Sequence, residues 1–309
     1  MYQIKAKPEE FVVIEKSTLE PKKDGEYACY RLEKLNKTTL ESIIQIAKFL
    51  HIPLKHIGFA GTKDKAAKTS QLISIKGHPE KRLESFKSKE ITLTALGRLD
   101  NPISLGKLEG NFFEIVVRNI DNAPKELKQF KNYFGEQRFS TNNTEVGRAL
   151  IKQDFKTACE LIDHKEIAES LSTQPTNFNA AIRKLPKKII MLYLHAYQSF
   201  LWNTIAEKIN KDTILPIIGF GTEFEDEEIE QAYKELMKKE NITLRDFIIK
   251  PLPNHSLEGD SRQVYTKIKE LIIGNLEEDE LNKGKKKCTV KFFLEKGCYA
   301  TEAVKAIMT

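Results

Sequence analysis

The apolar residues of this chain change period twice, and the second change constrains the fold more than any other feature. The first third has the short spacing of strands. Phe11 to Ile14 is an apolar run of β-branched character, and Tyr27 to Leu32 alternates around Ala28, Tyr30 and Leu32. Pro21 to Gly25 supplies turn chemistry between them. Gln71 to Lys76, Ile91 to Leu96 and Phe112 to Arg118 read as further strands. One early helix interrupts them: Leu40, Ile43, Ile44, Ala47 and Leu50 recur at helical spacing behind a Thr38–Glu41 capping box, and Pro53 stops the run. From about residue 124 the period is helical, which predicts helices over roughly 124–134, 145–163, 187–210, 226–240 and 261–274. The third of these is apolar nearly all round from Met191 to Ile205 and is expected to be buried. Then Thr289 to Leu294 reads as a strand again, followed by a Gly297 turn and a short helix over Thr301 to Ile307. A strand arriving after so long a helical block can rejoin a sheet built earlier. The pattern predicts an α+β architecture, a mostly antiparallel sheet with a helical block inserted before its last strand.

Composition removes several function classes. No apolar run approaches the roughly 20 residues a membrane helix needs. No charged–apolar–small-residue leader opens the chain, so the cytoplasm is the expected compartment. Cys29, Cys159, Cys288 and Cys298 are too sparse for a disulfide framework and lack zinc-ligand spacing. The net charge is +6, but residues 223–280 carry −8, which leaves +14 on everything else. That excess fits a polyanionic partner such as nucleic acid; it also fits a Lys-rich solvated surface.

Local motifs narrow the chemistry. There is no P-loop, no G-x-G-x-x-G opening a helix, no H-E-x-x-H and no G-x-S-x-G elbow. Gly58-Phe59-Ala60-Gly61-Thr62-Lys63-Asp64-Lys65 instead places a carboxylate between two lysines on a Gly-rich loop. Nearby cations favour an ionised carboxylate, which could serve as nucleophile or base. The same residues also suit an idle, solvated surface turn. In Asn132-Tyr133-Phe134-Gly135-Glu136-Gln137-Arg138-Phe139, aromatics alternate with amide and guanidinium groups. That mixture suits an unstacked base, with rings to stack on it and an amide to read its edge. It equally suits a helix end that packs two phenylalanines into a core. Tyr299, in the Lys296 to Thr301 corner, could be core or could line a site.

Taken together, these segments resemble the TruD family of tRNA pseudouridine synthases. The resemblance begins at Lys5-Ala6-Lys7-Pro8-Glu9-Glu10-Phe11-Val12-Val13-Ile14-Glu15 and continues through Gly25-Glu26-Tyr27 and the Phe59 to Gln71 loop. It includes Leu108 to Phe113, Asn132 to Phe139 and Tyr197-Gln198-Ser199-Phe200-Leu201-Trp202-Asn203, and closes at Phe293 to Thr301. It implies isomerisation of uridine to pseudouridine in tRNA, typically at uridine 13, with no metal and no cofactor. Asp64 would be the nucleophile, attacking the sugar C1′ or the base C6 or assisting glycal formation, and Lys5 would pair with it. Asn132 and Phe134 would hold the target base, and Tyr299 stands where Phe is frequent. The resemblance further implies a catalytic domain over residues 1–148 and 285–309 and a family-specific, mostly helical insertion over 149–284. A monomer is the expected state. The acidic stretch would lie in the insertion, facing away from RNA.

Two positions depart from the family pattern. Glu109 stands where many relatives have Lys, which removes a potential phosphate contact. Ser140 stands where Gly is common. Two other readings compete with the isomerase: a catalytically silent RNA-binding or RNA-folding module on the same fold, and, more weakly, a phosphate-loop nucleotide enzyme.

Overall fold

The computed structural model describes residues 2–309. β1 (Phe11–Lys16) turns Phe11 and Val13 into the core. β2 (Tyr27–Leu35) buries Ala28, Tyr30 and Leu32 as its alternation demands, and also Lys34. α1 (Thr39–Leu50) starts on the expected capping box: Glu41 N–H donates to Thr38 Oγ1 at 3.1 Å and Thr38 N–H to Glu41 Oε2 at 2.7 Å. It ends at His51 in the left-handed region, just before Pro53. β3 (Ile57–Phe59) and β4 (Lys68–Lys76) flank the Gly-rich loop. A short α2 (Glu80–Leu83), β5 (Ile91–Leu99) and β6 (Gly110–Ile120) follow, and β7 (Gln129–Lys131) leads the chain away.

The next stretch holds α3 (Asn143–Ile151), α4 (Phe155–Leu161), α5 (Lys165–Thr173), α6 (Phe178–Lys184) and α7 (Lys187–Lys208). β8 (Ile214–Ile217), α8 (Glu227–Glu240) and β9 (Asp260–Gln263) complete it, and β10 (Tyr265–Lys267) brings the chain back. β11 (Lys269–Ile273), β12 (Glu277–Glu278), β13 (Lys286–Glu295) and α9 (Ala300–Met308) close the chain.

Among the described residues, nine strands form one sheet in the order β11-β13-β6-β1-β4-β2-β5, with β3 beside β4 and β12 beside β13. β1 and β4 run parallel and the other neighbours antiparallel. The last strand thus rejoins the sheet, pairing along β6 with Phe292 opposite Phe113, their rings 5.5 Å apart. Two large clusters cover the sheet, beside a smaller one of Cys29, Ala60, Leu99 and Ile103. One joins Phe11, Phe113, Ile115 and Phe292 to Val304 and Ile307 of α9, and the other joins Leu32, Ile73 and Ile75 to Ile43, Ile46 and Leu50 of α1. Each such side chain contributes about 1.5–3 kcal/mol on burial.

The chain divides into two compact units, residues 1–130 with 267–309, and residues 131–266. The sequence reading set the divisions at 148/149 and 284/285. Residues 143–151 go with the helices because α3 packs on α7: a Cβ on Gly147 would meet Tyr193 O at 2.1 Å, so only glycine allows that approach. Residues 269–278 go with the sheet because β11 and β12 pair with β13. The acidic stretch 223–280 is therefore split between the units.

Three expected helices are corrected. No helix forms over 124–134, where Lys125 N–H donates to Ile307 O and Lys128 O accepts from Ile268 N–H. Residues 261–274 form β9, β10 and β11; Val264, Ile268, Leu271 and Ile272 are helically spaced, yet Ile272 is exposed and its backbone pairs with Lys291. The run 145–163 breaks into α3 and α4 at Gln153, which is left-handed, before Asp154 caps α4 through Thr157 N–H at 3.1 Å. α7 matches its expectation and buries Leu194, Tyr197, Leu201, Trp202 and Ile205.

Candidate active site

In the sheet unit, β3 delivers the chain into the loop that carries Asp64. Gly58 is required there, since a Cβ would meet Ile103 O at 2.4 Å. The loop is pinned at successive residues. Ala60 O accepts from Gly106 N–H at 2.7 Å, and Gly61 O accepts from the Gln71 amide at 2.9 Å. Gln71 Oε1 takes the Thr39 hydroxyl proton at 2.8 Å, and Thr39 Oγ1 accepts from Lys63 N–H at 2.9 Å. Lys63 Nζ donates to Glu15 Oε2 at 2.6 Å, a buried pair whose other oxygen accepts from Leu72 N–H at 3.3 Å. Removing one partner of such a pair leaves an uncompensated buried charge, at a cost of about 3–5 kcal/mol. A loop fixed by this many bonds holds its carboxylate without further ordering cost when a substrate arrives.

Asp64 itself is partly exposed. Lys5 Nζ donates to its Oδ2 at 2.5 Å, and Lys34 Nζ donates to its backbone carbonyl at 2.7 Å. Lys5 reaches it from a left-handed backbone (φ 59°) and lies over the Phe11 ring at 4.3 Å. For a residue with a Cβ that backbone costs roughly 1–2 kcal/mol, which the ion pair and ring contact offset. Tyr299, half-buried, sits at the N-cap of α9 in the same unit.

The helical unit holds Asn132 and Phe134. Asn132 is buried and gripped by Arg262, whose Nε donates to its carbonyl at 2.7 Å and whose Nη2 donates to its Oδ1 at 2.6 Å. Its Nδ2 donates to Gln263 O at 3.3 Å. Phe134 is 7% exposed, edge-on to Trp202 at 5.6 Å, with the Arg262 guanidinium 4.3 Å from its ring centre. Asn203 of α7 fixes the Phe134 backbone from both sides, with both bonds at 2.9 Å. Beside them lies a cavity of about 720 Å³ lined by Phe134, Arg138, His195, Gln198, Ser256 and Arg262. Burial holds the His195 ring below its ordinary pKa, against the raising effect of Gln198, so at neutral pH it is an uncharged imidazole. Among the described residues no group of three His, Cys, Asp or Glu side chains is placed to hold a metal ion.

The family model for tRNA pseudouridine synthase D (TruD) matches residues 2–168, 160–214 and 206–307. The chain belongs to the TruD family. The tRNA pseudouridine synthase D of Aquifex aeolicus is 29% identical, over 97% of this chain and 96% of that protein. A Nanoarchaeum equitans protein classed as tRNA pseudouridine synthase D is 30% identical, over 99% and 98%. A crystal structure assigned to TruD, from Methanosarcina mazei, superposes with a TM-score of 0.77 at 25% identity, covering 99% of this chain and 93% of its own. The TruD fold is thus an α+β fold with a mixed sheet, and this member is an isomerase of the pseudouridine synthase type. Among the described residues no helix is long and apolar enough to cross a membrane.

Both departures from the TruD pattern have structural outcomes. Glu109 pairs with Lys16 at 3.1 Å. Ser140 takes φ 47°, so the chain keeps a glycine-like backbone there and carries the strain of a Cβ. Arg262, Lys34 and Thr39 received no role from sequence. Lys34 alone left a signal, a lysine on the buried side of a strand alternation.

Proposed function

We propose that this enzyme converts uridine 13 of tRNA to pseudouridine, with Asp64 as the nucleophile. The observation that carries the reading is a partly exposed carboxylate, ion-paired to Lys5 at 2.5 Å, on a loop fixed at nearly every residue. In the C1′ route an Asp64 oxygen bonds to C1′ as the N1–C1′ pair departs with the base. The base turns, C5 attacks C1′ and expels the carboxylate, C5 loses its proton and N1 gains one. Attack at C6 or carboxylate-assisted glycal formation gives the same isomer from the same position of Asp64. Lys5 orients the carboxylate in all three.

Asn132 and Phe134 hold the base in this reading. Asn132 Oδ1 spends one lone pair on Arg262, and Nδ2 one proton on Gln263. One acceptor and one donor remain, the complement of the uracil N3–H and its neighbouring carbonyl. Phe134 and Tyr299 supply aromatic rings for the base in this reading. The enzyme acts on tRNA as a cytoplasmic monomer, without metal or cofactor.

Asp64→Asn decides the reading. Pseudouridine mapped in a tRNA transcript should fall by at least about 10³-fold. Normal product would remove Asp64 from the chemistry, whereas a wild type as inactive as the variant would leave the silent RNA-binding module as the better account. Product at another uridine would keep the reaction and change the position.

A further inference from the structure

β2 sends a lysine into the buried face of the sheet unit. Lys34 continues the alternation of Ala28, Tyr30 and Leu32, and it is 2% exposed. A leucine would fit that pattern at no electrostatic cost, whereas a buried ammonium loses its hydration. Its Nζ donates to the backbone carbonyl of Asp64 at 2.7 Å. Cross-strand neighbours offer it nothing comparable: Ile91 on β5 is apolar, and the Thr69 hydroxyl on β4 is buried without a hydrogen bond. The expensive charge is thus directed at one peptide, the one that carries the carboxylate.

We propose that Lys34 is a positioning residue that clamps the Asp64 backbone and so keeps the carboxylate in line for attack. The inference rests on the reading of Asp64 as nucleophile. Lys5 holds the side-chain end and Lys34 the main-chain end, which leaves little freedom to the torsions between. The charged groups facing Lys34 are Asp64 and Lys63 on the loop and Glu41 on α1; β4 and β5 present only uncharged Thr69 and Ile91. Burial, the largest influence, brings the Lys34 pKa down to about 8, with Asp64 and Glu41 opposing it and Lys63 reinforcing it. The clamp therefore loses its charge as pH rises through about 8.

The test is the single-turnover rate of pseudouridine formation in tRNA, from about pH 6.5 to about pH 9.5, for wild type, Lys34→Met, Lys34→Arg and Asp64→Asn. The wild-type rate should fall as pH passes about 8. Lys34→Met should be about 10–100-fold slower at neutral pH with tRNA Kd within about twofold, and its alkaline fall should vanish. Lys34→Arg should keep most of the rate and carry the fall to higher pH, because a guanidinium stays charged. A flat wild-type profile overturns the proposal even if Lys34→Met does not fold. So does a fall that stays in place in Lys34→Arg, or a Lys34→Met rate within about twofold of wild type with its alkaline fall intact. Active Asp64→Asn would sink the nucleophile and the clamp with it; inactive Asp64→Asn beside normal Lys34 variants would sink the clamp alone.

Discussion

Arg262 does for Asn132 alone what Lys34 and Lys5 do together for Asp64, gripping main chain and side chain of one residue. Its two bonds fix which end of the Asn132 amide accepts, and its plane covers Phe134. A charge-assisted bond to a buried amide is worth about 1.5–3 kcal/mol, so Arg262→Ala should lower kcat/KM by roughly 10–150-fold. Arg262→Lys should rescue little, because an ammonium cannot reproduce the planar fork. Rescue to within twofold of wild type in steady-state kinetics on tRNA would show that only charge matters there, roughly as a phosphate contact would. The pairing of Lys5 with Asp64 was legible because each lies in a short, unusual string of residue types. Arg262 was not: it lies 130 residues from Asn132, and a single arginine on a short strand gives no local signal.

Elements show the same division. α1 and α7 were legible because a helix satisfies its backbone within itself, so cap residues and period suffice. Residues 261–274 were misread because a strand is defined by distant partners, here β8 and β13. The link between β6 and the turn after β12 is of that distant kind. Arg118 Nη1 donates to Asp279 at 2.5 Å, Nη2 to Glu10 at 2.6 Å and to Glu280 at 2.7 Å. Burial pushes the Asp279 carboxyl up, but Asn119 and Leu281 N–H groups, the Asn282 amide and Arg118 together bring it down to about 2. Its folded pKa lies below its unfolded value of 3.8, so its contribution is present above that pH and is lost as pH falls toward about 2. Arg118→Leu leaves the buried Asp279 and the half-buried Glu10 without their cation and should cost about 3–5 kcal/mol near neutral pH. Urea unfolding should show that gap narrow as pH drops below 3.8; a gap independent of pH would mean that packing, not charge, holds this joint.

For the whole molecule, net charge understates what a polyanion meets. The acidic 277–280 segment is spent inside the sheet unit, with Glu277 and Glu278 on Lys287 and Lys286, and Asp279 and Glu280 on Arg118. In the helical unit Lys211 takes Asp226 and Glu228, and Arg148 takes Glu240. Neutralised carboxylates repel phosphates weakly, while Lys55, Lys68 and Lys107 remain in no ion pair among the described residues, alongside other exposed lysines. If such cations hold the tRNA backbone, each phosphate contact releases condensed counterions, and affinity must fall with salt. Six contacts would lower it by roughly 10³-fold between about 50 and about 200 mM salt. Kd for unmodified tRNA, measured by filter binding across that range, should follow a straight line in log–log form. Replacing one phosphate-bound lysine should reduce the slope by about one contact, whereas Asp64→Asn should leave it unchanged. A slope near zero would mean that shape and base contacts, rather than the basic surface, hold this RNA.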